Sequence, residues 1–201
     1  MLCSLTGVHQ FEEDIKRSRF LAIAAPVNTV EDAMRFLEAH SVPDATHNCW
    51  AYKIGNNYRF NDDGEPGGTA GKPILQAIEG QQCDEVVVLV IRWFGGVKLG
   101  TGGLVRAYGG VAAQCLRLAE KREIIALAEI DCTCSFSDMA LVRSRFEQHS
   151  VQVVTEDFDA EGVVWRLAIP VENVSEFENS FTNMTRGQGF FEKVKAPEDE
   201  K

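Results

Sequence analysis

Asp62, Asp63 and Glu65 fall within one short stretch, just ahead of the glycine-rich run Gly67-Gly68-Thr69-Ala70-Gly71-Lys72-Pro73. Clustered carboxylates can hold magnesium through their oxygens, or one of them can act as a general base. Asp63-Gly64-Glu65-Pro66 is also ordinary turn chemistry, and the turn is the favoured reading. His47 and Cys49 are two apart on a predicted strand and face the same way. They make a conceivable nucleophile pair, but one with no orienting third group. No catalytic residue is assigned; His47, Asp62, Asp63 and Glu65 are the candidates.

The glycine-rich run looks at first like a nucleotide-binding loop, and its spacing excludes that. A P-loop needs Gly five residues before the Gly-Lys pair and Ser or Thr after it. Pro66 and Pro73 occupy those positions. A second run, Gly100-Thr101-Gly102-Gly103, fails the dinucleotide fingerprint because its third glycine position holds Val105. A more general chemistry survives. Glycines at the start of a helix expose free N–H groups at the positive end of the dipole, which suits an anion. Arg92 and Lys98 flank that run, and Arg106 lies in the first turn. The predicted ligand-binding set is Lys72, Arg92, Lys98, Gly100, Thr101, Gly102, Gly103, Arg106 and Tyr108, with the Asp62–Lys72 loop as the opposite wall. Trp93, Phe94 and Tyr108 are candidates for stacking on bases. The competing reading is that these glycines serve only tight turns and close packing.

The elements that must position these residues are legible in outline. Residues 4–11 and 18–27 read as strands, with a charged turn from Glu12 to Arg19. Thr29 or Asn28 caps a helix from Val30 to about His40. Strands follow near 47–54 and 58–60. Pro73 suits the first turn of a short helix that ends at Gly80. Glu85 to Phe94 is almost wholly apolar and β-branched, which marks a strand buried on both faces. A helix from about Gly102 to Ala119 turns Leu104, Tyr108, Val111, Cys115 and Leu118 inward, with Val105, Ala112, Leu116 and Ala119 widening that face. The pattern restarts near Lys121-Arg122-Glu123, where a boundary is expected. Beyond it the order reads β-α-β-β-α-β. Residues 197–201 read as a polar, disordered tail.

Composition narrows the class. The 201 residues carry a net charge of −10, which disfavours unspecific binding of nucleic acid or anionic membrane by the whole molecule. Residues 86–122 are the exception, with six basic side chains and one acidic. Six cysteines form no CxxC pair, so they read as small buried hydrophobes in a reducing cytoplasm. No apolar run is long enough to span a bilayer, and no signal peptide is expected.

Taken together, these motifs resemble the IMPACT/YigZ family, of the bacterial YigZ-like branch. The match is carried by Asp62-Asp63-Gly64-Glu65-Pro66 with Gly68-Thr69-Ala70-Gly71-Lys72-Pro73. It continues in Arg92-Trp93-Phe94-Gly95-Gly96 and Leu99-Gly100-Thr101-Gly102-Gly103-Leu104-Val105-Arg106-Ala107-Tyr108. Lys16-Arg17-Ser18-Arg19-Phe20 and Asp44-Ala45-Thr46-His47-Asn48-Cys49 add to it. The resemblance implies an α+β protein of two domains. Residues 1–122 would be an IMPACT N-terminal-like α/β domain, similar to domain 2 of a small-subunit ribosomal protein and to part of elongation factor G. Residues 123–196 would be ferredoxin-like, similar to the C-terminal domain of elongation factor G. Eukaryotic members regulate translation by competing for the scaffold that activates a translation-initiation-factor kinase, and they carry an additional N-terminal interaction domain; these residues lack it, so that specific role is not expected.

The leading expectation is a cytoplasmic, translation-linked binding protein that takes RNA, the ribosome or another phosphate-bearing ligand, or a translation-associated protein, through its two glycine loops. The alternatives are a hydrolase or transferase on a small anionic substrate, and a protein-interaction module acting through the acidic C-terminal half. Binding is favoured over catalysis, with no cofactor, metal or membrane expected.

Overall fold

The structure, a computed structural model, describes residues 2–194. The expected tail at 197–201 lies outside them. Helices mix with antiparallel sheets throughout, an α+β architecture. Among the described residues, no helix is long and apolar enough to cross a membrane. The chain divides into two compact units between Ile124 and Ile125.

The first unit opens with β1 (Cys3–Leu5), β2 (His9–Ile15) and β3 (Ser18–Pro26). The charged stretch expected as a turn is mostly strand. Glu12, Glu13 and Asp14 are exposed on β2, which lies at the sheet edge. Charge on an edge strand discourages pairing with another chain. The turn itself is only Lys16-Arg17, both with positive φ, as a two-residue hairpin requires. Next come α1 (Val30–His40), β4 (His47–Ile54) and β5 (Asn57–Asn61). Thr29 caps α1 by accepting from Asp32 N–H at 3.1 Å. Then follow α2 (Gly71–Gly80), β6 (Val86–Trp93) and α3 (Thr101–Leu118).

Five strands make one antiparallel sheet in the order β2-β3-β6-β4-β5. Central β6 is buried along nearly its whole length because helices cover both faces. Val86, Val88 and Val90 pack with α2 and α3, while Val87, Leu89 and Ile91 pack with α1. α3 buries Leu104, Tyr108, Val111 and Cys115, but Val105 and Leu118 are exposed, so the inward band is narrower than expected. Lys121–Glu123, expected as the boundary, form a short strand, β7, paired with β1.

The second unit contains β8 (Leu127–Ser135), α4 (Phe136–Arg143), β9 (Gln152–Phe158), β10 (Gly162–Pro170), α5 (Val174–Met184) and β11 (Phe190–Lys193). The sheet order is β11-β8-β10-β9, all neighbours antiparallel. Alternate residues Ile130, Cys132, Cys134 on β8 and Val163, Trp165, Leu167, Ile169 on β10 face inward against Phe146, Phe177 and Phe181.

Candidate functional site

The first glycine loop is organised by Asp62. Its carboxylate accepts from the amides of Gly68 (2.8 Å), Ala70 (3.0 Å) and Gly71 (2.8 Å). These amides stand at the start of α2, whose N-cap, Ala70, offers no capping side chain. Asp62 therefore caps α2 from a distance, through charge-assisted bonds. Gly71 is needed because a Cβ there would sit 2.7 Å from the backbone of Asn61. The closed loop carries Glu65 inward.

Glu65 is the centre of a buried polar network. Its Oε1 accepts from Arg92 Nη1 at 2.6 Å and from the Tyr108 hydroxyl at 2.7 Å. Nε2 of His47 lies 3.7 Å from the same oxygen. Arg92 and His47 are direct partners on β6 and β4, so their side chains leave the same sheet face side by side. Arg92 Nη2 donates to Ser18 Oγ at 3.2 Å, while Arg92 Nε is buried without an acceptor. Tyr108 comes from α3 and packs edge-on against Phe20, centroids 5.3 Å apart. Burial, with Cys49 and Glu65 close by, pushes its hydroxyl far above the usual phenol range. Nδ1 of His47 donates to the Asp63 carbonyl at 2.8 Å. That leaves Nε2 as the acceptor nitrogen of the neutral ring.

The second glycine loop supplies a helix start with nothing capping it. The first α3 amide bonded back is Leu104, to Gly100 O at 2.9 Å. The amides of Thr101, Gly102 and Gly103 precede it and have no partner within the helix. The first turn holds no acidic residue and no capping side chain. Gly100 sits at φ +75°, and a Cβ on Gly95 would lie 1.7 Å from the Arg17 carbonyl. The β6–α3 loop thus lies directly against the β2–β3 turn.

Between the two loops is a cavity of about 430 Å³. Glu65 and Pro66 come from the first loop, Lys98, Gly100 and Thr101 from the second, and His47 and Arg92 from the sheet. Residues 16–116, which hold this whole constellation, match the family model described as "Impact N-terminal domain". The chain belongs to the IMPACT family.

Residues 132–188 match a second model, "Domain of unknown function (DUF1949)". The chain is 51% identical over 156 residues to an IMPACT family member of Thermus thermophilus, covering 78% of this chain and 86% of that one. It is 37% identical over 182 residues to IMPACT family member YigZ of Escherichia coli, covering 87% and 89%. A solved structure titled "Crystal structure of an hypothetical protein" superposes with a TM-score of 0.71 at 33% identity, covering 98% of both chains.

Within this IMPACT family site the sequence-predicted residues separate. His47, Glu65, Arg92, Lys98, Gly100 and Thr101 line the cavity. Tyr108 reaches it only through Glu65. Gly103 and Arg106 line a second hollow of about 170 Å³ with Lys16. Gly102 lines neither hollow, although the Arg106 guanidinium folds back to 3.7 Å from where its Cβ would be. Asp62 is occupied by three amides, and Asp63 Oδ2 accepts from Asn48 N–H at 2.6 Å. Lys72 is exposed on α2 and outside the cavity. Arg92, expected to face phosphate directly, is committed to Glu65. Cys49 lies on the same sheet face as His47, but burial pushes its thiol up to about 12, which suits packing and not nucleophilic attack. The sequence-predicted set lacks Lys16 and Arg17, which the hairpin brings to the β6–α3 loop; their position in a two-residue turn is the available signal.

Proposed function

We propose that this IMPACT family protein is a cytoplasmic, translation-linked binding protein that engages RNA, free or in the ribosome, by holding phosphate at the start of α3. The observation that carries this reading is the uncapped helix start, with the free amides of Thr101, Gly102 and Gly103 beside Lys98 and Arg106. Lys16 and Arg17 extend the basic rim, and among the described residues none of these four cations is in an ion pair. Phosphate contacts of this kind supply affinity without sequence preference. The link to translation comes from the family, whose eukaryotic members regulate translation. The proposed architecture agrees with it. Residues 1–122 are read as similar to domain 2 of a small-subunit ribosomal protein. Residues 123–196 are read as ferredoxin-like, supported by the strand order β11-β8-β10-β9. The test is a salt titration of RNA binding. Lys98→Ala with Arg106→Ala should weaken binding and lower the salt slope by about two; an unchanged slope overturns the site.

One observation favours a second reading, acid–base catalysis on a small anionic substrate. His47 Nε2 lies 3.7 Å from the Glu65 carboxylate at the wall of a cavity large enough for a metabolite. Turnover of a phosphate or carboxylate ester that His47→Ala abolishes would establish it.

A further inference from the structure

We infer that the cavity beside α3 holds one unpaired nucleotide of a single RNA strand, its phosphate at the start of α3 by Gly100 and Thr101 and its base on the ring of Phe94. This inference rests on the RNA reading above and specifies what that site accepts.

Three features carry it. The first is shape and lining. Phe94, Pro66, Leu99 and Leu104 give the cavity an apolar wall, and Phe94 is 45% exposed. A bare phosphate has no use for such a wall, whereas a base stacks on it whatever its sequence. The other two aromatic candidates are accounted for. Tyr108 is fully buried, and Trp93 packs with the α1 side of the sheet under the Arg19 guanidinium.

The second feature is an unanswered donor. Arg92 is 4% exposed and lines the cavity, and its Nε–H has no acceptor. A buried donor without a partner is costly, and a ligand acceptor at this wall would answer it. His47, its neighbour across β4 and β6, has Nδ1–H held by the Asp63 carbonyl, so Nε2 is the ring nitrogen left to a ligand. Two polar groups side by side suit the edge of a nucleobase, which carries both donors and acceptors. The edge is reachable only when the base is unpaired.

The third is charge. Lys98 and the helix start at Gly100 and Thr101 bring positive charge to a cavity that also holds the apolar side chains and the His47–Arg92 pair of the sheet. A nucleotide likewise joins a charged phosphate to a base. Lys16 and Arg106, in the neighbouring hollow, continue the cationic track for the next phosphate.

The experiment uses the whole chain and fluorescence anisotropy with a labelled single-stranded RNA of about ten nucleotides, in the range one such groove covers. The comparison probes are the same strand annealed to its complement and the same strand with abasic positions. Phe94→Ala is the test variant, and because the ring also lies 5.4 Å from the Arg92 guanidinium, thermal unfolding checks that the variant keeps its fold. The expected results are preference for the single strand, loss on the abasic probe, and a roughly tenfold weaker Kd for Phe94→Ala with an unchanged salt slope. If duplex and single strand bind alike and Phe94→Ala has no effect, while Lys98→Ala with Arg106→Ala still lowers the slope, this inference is overturned and the phosphate site stands. If no RNA binds at all, both fail together.

Discussion

The carboxylate of Glu65 meets Nη1 of Arg92 at 2.6 Å, with the two side chains only 4% and 5% exposed. The partners come from the first glycine loop and from the central strand, so one ion pair fixes the loop to the sheet. The Tyr108 hydroxyl adds α3 to the same oxygen. Three elements that form the cavity are thereby held at one atom.

Removing one member leaves the others buried and uncompensated. Glu65→Ala should destabilise the first unit by about 3–5 kcal/mol, because Arg92 would keep its charge without a counter-ion. Tyr108→Phe removes only one hydrogen bond to a charged group and should cost about 1.5–3 kcal/mol. Denaturant titration of both variants tests the ranking; equal losses would contradict it.

Gly95→Ala places a methyl within 1.7 Å of the Arg17 carbonyl unless the β6–α3 loop withdraws. The expected cost is on the order of 1–3 kcal/mol, as for other overpacked sites. Hydrogen exchange should quicken at the β2–β3 hairpin as well as in the loop. A change confined to residues 94–100 would argue against this contact.

The cysteines should be slow to react while the protein is folded. Burial pushes Cys49, Cys115 and Cys132 up to about 12 and Cys134 to about 11, and with help from neighbouring Cys3 pushes Cys83 to about 12. Near pH 8 such thiols are almost wholly protonated, and the thiolate is the reactive form. Titration with an aromatic disulfide should find half-buried Cys3 reacting first and the rest only on unfolding. Prompt labelling of Cys49 would show that the β4 face opens.

Stability should fall on acidification partly through Asp84. Burial disfavours its charged form, but bonds from Lys53 Nζ and from the amides of Gly55 (2.7 Å) and Glu85 (2.7 Å) outweigh that and hold its carboxyl below the usual range. A lowered folded-state pKa means the contribution is present above the unfolded value, about 3.9, and is lost as pH falls through the folded value. Asp84→Asn should therefore cost most at neutral pH, and its deficit should shrink below about pH 4. A deficit constant from pH 7 to pH 3 would refute the linkage.

Sequence and structure agree best where a local pattern suffices. The apolar run at β6, Pro73 near the start of α2, and the Thr29 cap all follow from rules acting within a few residues. The glycine loops are visible as a candidate site, but in the sequence Glu65 reads as one of three equivalent acids. Nothing local separates Asp62, which closes the loop, from Glu65, which enters the core. That difference depends on register, because β4 and β6 place His47 opposite Arg92. The exposure of Val105 and Leu118 has a similar cause. Helical periodicity gives the direction of an apolar face, while its width is set by what packs against it.

The pairing of β1 with β7 carries a consequence for synthesis. Cys3, Ser4 and Leu5 align with Glu123, Arg122 and Lys121. A chain emerging from the ribosome makes β1 first and its ladder partner last among the elements of this unit. Cys3 can already bond the backbone at Gln82 and Asp84, but the ladder of β1 has to wait until residue 123 is clear of the exit tunnel, and only then can the unit close on itself. Contacts of such long sequence separation slow folding. A nascent chain with residues up to 120 outside the tunnel and β7 still inside should hold its five-stranded sheet while β1, held only through its contacts near residue 83, is cut by a protease faster than in the finished unit.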